Sequence, residues 1–156
     1  MLATWTIFNT LIGIWEIYIY INKHKLQLEP TTLWTKIYEN KKLLFKNLFW
    51  IEAWNEYCKV DTRYIYKHYV WIFELLNAIS AFILLIAVFT RNKKLIKFLL
   101  LLCIVNCLLY FITLLLENIF IGPTHRYAQP WMFLTYYFIS SIWIIVPLYI
   151  VLKSTL

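Results

Sequence analysis

Glycine is almost absent from this chain: Gly13 and Gly122 are the only two among 156 residues. Loops are therefore few, because glycine is one of the two strongest punctuators of regular structure. Acidic side chains are also scarce, eight against fifteen basic, for a net charge of +7. The three cysteines give no metal-ligand spacing and no disulfide framework. Cys103 and Cys107 lie one helical turn apart in an apolar run, where free thiols behave as small hydrophobes, and Cys58 has no evident partner. No Asn-x-Ser/Thr acceptor for N-glycosylation occurs. The three histidines, His24, His68 and His125, all fall outside the apolar runs.

What is abundant is apolar surface. Hydrophobic residues make up 62% of the chain and aromatics 20%, more than the core of one soluble domain of this length can hide. Residues 4–21, 69–89, 95–116 and 131–152 each have the length and apolarity to cross a bilayer, for which ~20 helical residues suffice. The fold expected is all-α: a polytopic four-transmembrane-helix bundle forming one domain over 1–156, without a soluble module. Its basic residues sit in loops beside the spans, where anionic lipid headgroups account for them, so no nucleic-acid partner is expected. Segment 4–21 lacks a basic n-region and a small-residue cleavage pattern and carries Glu16 in its middle. It reads as a retained helix rather than a signal peptide.

The first loop, 22–68, is long. Within it, 33–54 has the pattern of an imperfect amphipathic helix, with Leu33, Ile37, Leu44, Leu48 and Ile51 on one arc and Glu39, Lys42 and Lys46 opposite. Such a helix either lies at the membrane interface or packs on the end of the bundle. The short loop carrying Arg91, Lys93 and Lys94 favours the cytoplasmic side. That would put both termini there as well, and loops 22–68 and 117–130 on the far side. Nine Lys/Arg in the first loop argue the opposite way, but long loops count less.

Glu16 and Glu74 stand inside membrane-length segments. A carboxylate at that depth costs roughly 3 kcal/mol by insertion scales, so it normally faces a partner, a cavity or a substrate. Helical spacing shows which polar groups can join them. Asn9, Gly13, Glu16 and Tyr20 share one face of the first span, and Glu74, Asn77 and Ala81 one face of the second. Cys103, Asn106, Tyr110, Thr113 and Glu117 recur along the third; Tyr136, Ser140, Trp143 and Pro147 along the fourth, with Thr135 and Ser141 close by. Turned inward, the four stripes make a cavity with two carboxyls and several aromatic rings. Singly, Asn9, Asn106, Thr113 and Ser141 read as interhelical hydrogen bonds rather than as site groups. Trp5, Tyr69, Trp71 and Trp131, near span ends, read as an interfacial aromatic belt.

Two carboxyls in one dry pocket can divide the roles of acid and base. Such a pair suits a reaction that moves a proton along an apolar substrate, with the Trp143 ring stabilising a transient cation. The same groups would also bind a lipophilic amine without turnover.

Trp54-Asn55-Glu56-Tyr57-Cys58-Lys59-Val60-Asp61-Thr62-Arg63-Tyr64 resembles the W-x-E-Y-x-K-x-D-x-R-Y stretch of the emopamil-binding protein family of sterol Δ8-Δ7 isomerases. Leu109-Tyr110-Phe111-Ile112-Thr113 is similar to that family's L-Y-F-L-T, and Ile142-Trp143-Ile144-Ile145-Val146-Pro147 to its L-W-L-V-L-P. The resemblance runs in order over nearly the whole chain and extends to the wider EXPERA-domain grouping, which includes the sigma-2 receptor. It implies a four-helix bundle around a sterol cavity in the endoplasmic reticulum. It further implies catalysis by Glu16 and Glu74 through a carbocation, with Trp143 over the cation; Ser140, Asn77, Tyr110, Asn106 and Tyr136, from the inward-turned stripes, are expected to line the ligand site. No cofactor or metal is implied. The partners expected are a sterol or lipophilic amine and membrane lipid, with a homodimer left open. The family's histidine one turn before the first glutamate falls on Ile12, its helix-four asparagine on Ser140, and a threonine after the second glutamate on Asn77. A non-catalytic sterol or amine binder and a structural subunit of a larger membrane assembly stand as alternatives to the isomerase.

Overall fold

Long runs of leucine, isoleucine and aromatics, in which Gly13 and Pro147 are the sole internal helix breakers, favour continuous helix. Four such helices dominate the computed structural model, which describes residues 1–42 and 48–153. Helices α1 (Leu2–Ile21), α5 (Val70–Phe89), α6 (Lys93–Phe120) and α7 (Pro130–Lys153) are long and apolar enough to cross a membrane. Three shorter ones, α2 (Leu33–Glu39), α3 (Leu48–Val60) and α4 (Arg63–Tyr66), occupy the first loop. No strand occurs among the described residues. The protein is an all-α, integral membrane bundle.

The long helices pack in the order α1, α5, α6, α7. Backbones approach most closely where side chains are smallest. A Cβ placed on Gly13 would lie 3.0 Å from the Cα of Ala78, so α1 and α5 meet there almost without side chains. Hydroxyls within α1 are hidden by bonding back one turn, Thr6 to the Leu2 carbonyl at 2.9 Å and Thr10 to that of Thr6 at 2.8 Å. The turn between α5 and α6 is short because both helices are stopped locally. Arg91 takes a left-handed φ of 53°, and the Asn92 side chain caps α6 by accepting the Leu95 N–H at 3.1 Å.

Helix α6 runs four residues beyond the expected boundary at 116. Its polar end groups find partners that offset the cost of the extension: Tyr69 donates to Glu117, and the Asn118 amide donates to the Leu114 carbonyl at 2.8 Å and to Thr124 Oγ1 at 3.1 Å. Gly122, at φ 130°, then ends it, its N–H bonded to the Glu117 carbonyl at 3.0 Å. The segment after α6 is tied to the first loop by two backbone bonds, Thr62 N–H to Thr124 O at 2.7 Å and Arg126 N–H to Lys59 O at 2.8 Å. The described residues of 22–69 and the segment 121–129 therefore share one end of the bundle, as four spans require.

The amphipathic stretch over 33–54 divides into two helices, α2 and the first part of α3. Glu39 and Lys42 are exposed, Leu33 and Ile37 half-buried and Ile51 buried, whereas Leu44, Lys46 and the Leu48 side chain lie outside the described residues. Helix α3 is not a surface helix. It wedges between α1 and α7, with Trp54 packed edge-on against Trp15 and Tyr57 against Tyr136. The expected aromatic belt is also corrected in part. Trp71 is buried in the core, its indole N–H bonded to the Tyr64 carbonyl at 3.0 Å, and Trp5 is buried beside Trp143. Both rings are covered by neighbouring elements that a span-by-span reading does not anticipate.

Gly13→Leu should force α1 from α5. Overpacking of this kind costs about 1–3 kcal/mol. A clear drop in the melting temperature of detergent-solubilised protein is expected, and an unchanged melt would contradict the close approach.

Candidate functional site

Two apolar clusters stack along the bundle. One, at the loop end, includes Ile19, Ile51, Trp54, Tyr64, Trp71 and Tyr110; the other, toward the termini, includes Trp5, Leu84, Leu99, Leu100 and Ile150. Among residues lining the intervening cavity of about 510 Å³ are all eight predicted site residues: Glu16, Glu74, Asn77, Asn106, Tyr110, Tyr136, Ser140 and Trp143. The volume falls within the ~300–1,000 Å³ of small-molecule sites. Apart from these polar positions the wall is mostly apolar and aromatic, with Phe8, Ile12, Trp15 and Phe73 among its members.

The two carboxyls come from facing helices. Glu16, 4% exposed, reaches from α1 beside Gly13, whose missing side chain brings α5 near. The Asn77 amide donates to both Glu16 oxygens, at 3.3 and 3.4 Å. Glu74 stands one turn before Asn77 on α5 and accepts from the Tyr64 hydroxyl. The Glu16 and Glu74 carboxyls adjoin each other, close enough for a direct hydrogen bond. Such a pair can hold one proton between two groups.

The other predicted residues divide between the cavity and the helix contacts. Asn106 lines the wall while donating to the Phe73 carbonyl at 2.9 Å, so it also ties α6 to α5. Asn9 accepts the Trp143 indole N–H at 3.1 Å and joins α1 to α7. Thr113 lies outside the cavity wall and accepts from Arg63 at 3.0 Å, while Ser141 donates locally to the Phe138 carbonyl. Cys103 and Cys107 make long sulfur contacts to Asn77 and to α7 carbonyls.

Helices α1 and α7 meet through side chains rather than by close backbone approach. Trp143 packs against Trp5 and Phe8 near one end, and α3 fills the gap at the other. Some lining residues are also exposed on the bundle surface: Phe8 by 41% and Trp131 by 49%, with Thr135 and Ile139 exposed as well. The cavity opens sideways, toward the face that lipid covers.

Its loop-side end is closed by residues that helical spacing within the spans could not supply. Asp61, wholly buried, takes the Arg63 guanidinium in a two-pronged pair, Nε to Oδ1 at 2.9 Å and Nη2 to Oδ2 at 2.8 Å. Burial works against the Arg63 charge, yet the Asp61 hydrogen bonds and charge outweigh it and hold the guanidinium above its ordinary range. Asp61 also accepts from Tyr110, and Tyr110 is hydrogen-bonded to Tyr136. Tyr57 on α3 completes this corner, and burial pushes its hydroxyl well above the usual tyrosine range. The sequence signal for Tyr57, Asp61 and Arg63 is the 54–64 motif alone. Comparison with family models, curated proteins and solved structures returned no match.

Asp61→Ala leaves the buried Arg63 without its counter-charge, an arrangement that costs about 3–5 kcal/mol. The variant should unfold at markedly lower temperature than wild type. Replacing both members by apolar residues, Asp61→Leu with Arg63→Met, should recover much of the loss; a single variant as stable as wild type would contradict the pairing.

Proposed function

We propose that the protein binds a sterol, or a rigid lipophile of similar shape, and isomerises it by moving a ring double bond from Δ8 to Δ7. The observation that carries this reading is the pair of adjoining carboxyls in a largely apolar and aromatic cavity that opens toward lipid. An apolar substrate would reach the site from the membrane between α1 and α7 without crossing water. One carboxyl gives its proton to a ring carbon, which leaves a cation on the neighbouring carbon. The other carboxylate then takes a proton from the next position, and the double bond has moved. The two groups can restore their starting states by passing the proton between them, so the reaction needs no net proton, oxidant or cofactor. The Trp143 ring is on the cavity wall, and an indole π system stabilises a nearby cation.

Ile12 lines the cavity where the resembled family carries a histidine. Tyr64, bonded to Glu74, and Asn77, bonded to Glu16, are the groups beside the carboxyls that can position them instead. The same substitution favours a second reading, a sterol- or amine-binding protein without turnover, since carboxyls among aromatic rings also suit a lipophilic ammonium. Residence in the endoplasmic reticulum belongs to the same proposal and rests on the resemblance in residues 54–64, 109–113 and 142–147.

Expression in cells that lack Δ8-Δ7 isomerisation should restore Δ7 sterols, and Glu74→Gln should reduce their formation by at least the roughly 10²-fold typical of a lost acid or base. Full rescue by the variant would contradict the mechanism. No rescue, together with saturable sterol binding that Glu74→Gln abolishes, would select the binding protein.

A further inference from the structure

Helix α2 is fastened along α3. The Lys36 ammonium pairs with Glu52 at 2.7 Å, the Leu33 N–H donates to Glu56 at 2.7 Å, and the Lys59 ammonium donates to the Thr31 carbonyl at 2.9 Å. Contacts from 36 to 52, 33 to 56 and 31 to 59 run the two chain segments antiparallel. Their height is set by α1. Trp50 and Trp54 of α3 pack on Trp15, with ring centroids 5.7 and 5.0 Å away, and Trp15 lies ~9 Å of helix rise before α1 ends at Ile21. Helix α2 therefore sits beside the level at which the spans leave hydrocarbon. Trp34 and Tyr38, one turn apart on it, are 69% and 85% exposed. Lys41 and Lys42 follow, both exposed, and Lys25, Lys67 and Arg126 are exposed at the same end of the bundle. None of these five cations forms an ion pair among the described residues, whereas Glu29, Glu52, Glu56 and Asp61 are already paired and Glu39 is the exposed acid left among them.

We infer that α2 is an anchor seated in the headgroup layer at the loop end of the bundle, with Trp34 and Tyr38 set into the interface and Lys41 and Lys42 against anionic headgroups. Single exposed aromatics are ordinary on any surface. A Trp–Tyr pair at this height, followed by unpaired lysines, has the composition that favours the boundary between headgroups and acyl chains. Anionic lipid complements the surplus positive charge. A second copy of the chain would bring the same charge to the contact and be repelled. Helix α3 carries Trp54 and Tyr57 onto the cavity wall, so the anchor ties that wall to the bilayer surface. The inference makes no assumption about what the cavity holds.

Depth-dependent quenching tests it. The full chain with Tyr38→Cys, labelled there with an NBD fluorophore, is reconstituted in vesicles of phosphatidylcholine and phosphatidylserine. Cys58 and Cys103 are buried and Cys107 half-buried, so the unsubstituted chain treated in parallel supplies the background. Ile79→Cys, at an exposed position in the middle of α5, serves as the deep reference. The label at 38 should be quenched more by lipids carrying a doxyl group near the headgroup than by lipids carrying it near the chain end, and the label at 79 should show the reverse order. Lys41→Gln with Lys42→Gln should weaken the shallow quenching at 38 in these vesicles and leave it unchanged in pure phosphatidylcholine. Quenching at 38 by aqueous iodide, with none by either doxyl lipid, would place α2 in water and overturn the inference. Shielding from iodide and from both lipids would show a protein covering α2, a second copy included, and would overturn it as well. Shallow quenching that ignores both lysines and phosphatidylserine would also contradict the inference as stated.

Discussion

The ion pair between Asp61 and Arg63 is the constraint on which the rest of the site depends. It lies in the loop between α3 and α5, and both partners are almost wholly buried. Burying two charges is favourable only when the geometry is close and the remaining donors and acceptors are met. Here Arg63 adds a bond to Thr113, Asp61 adds one from Tyr110, and both of those residues belong to α6. The pair therefore anchors the first loop to a membrane helix, and it holds α3 over the end of the cavity. It acts there together with the backbone bonds from Thr62 to Thr124 and from Arg126 to Lys59 and with the packing of Trp54 on Trp15.

Polar groups elsewhere in the bundle follow the same rule. Each costs much in hydrocarbon when it stands alone, so most are met by a turn of their own helix, by a neighbour across a helix contact or by the cavity. Asn9 with Trp143, Asn106 with the Phe73 carbonyl, and Asn77 with Glu16 are contacts of this kind, and each also decides which helices touch. Glu16 and Glu74 are different because their nearest polar neighbours include each other. A pair of carboxyls is a poor structural fastener, which is why the chemical reading is preferred for them over a packing one.

Much of this is legible in helical spacing alone. The four spans, and the stripes through Glu16, Glu74, Asn106 and Ser140, follow from one period and from the exclusion of charge from hydrocarbon. The first loop is harder to read, since apolar residues on both sides of α3 blur its pattern: Trp54 and Tyr57 face the cavity while Ile51 and Cys58 are buried. Trp5 and Trp71 mislead for a related reason. Tryptophan near a span end suits an interface, and only the packing of other elements over it turns that position into core. The Tyr136–Tyr110–Asp61 chain of hydrogen bonds is beyond sequence altogether, because it depends on which oxygen faces which.

A rigid lipophile seated between α1 and α7 against the two carboxyls is central to this picture of the protein. Photolabelling with a sterol carrying a diazirine, followed by mass-spectrometric mapping, tests it most directly. Adducts are expected on cavity residues such as Phe8, Ile139 and Trp143, suppressed by excess unlabelled sterol. Adducts confined to outward-facing positions of α6, such as Phe98 and Leu108, and insensitive to competitor, would contradict it.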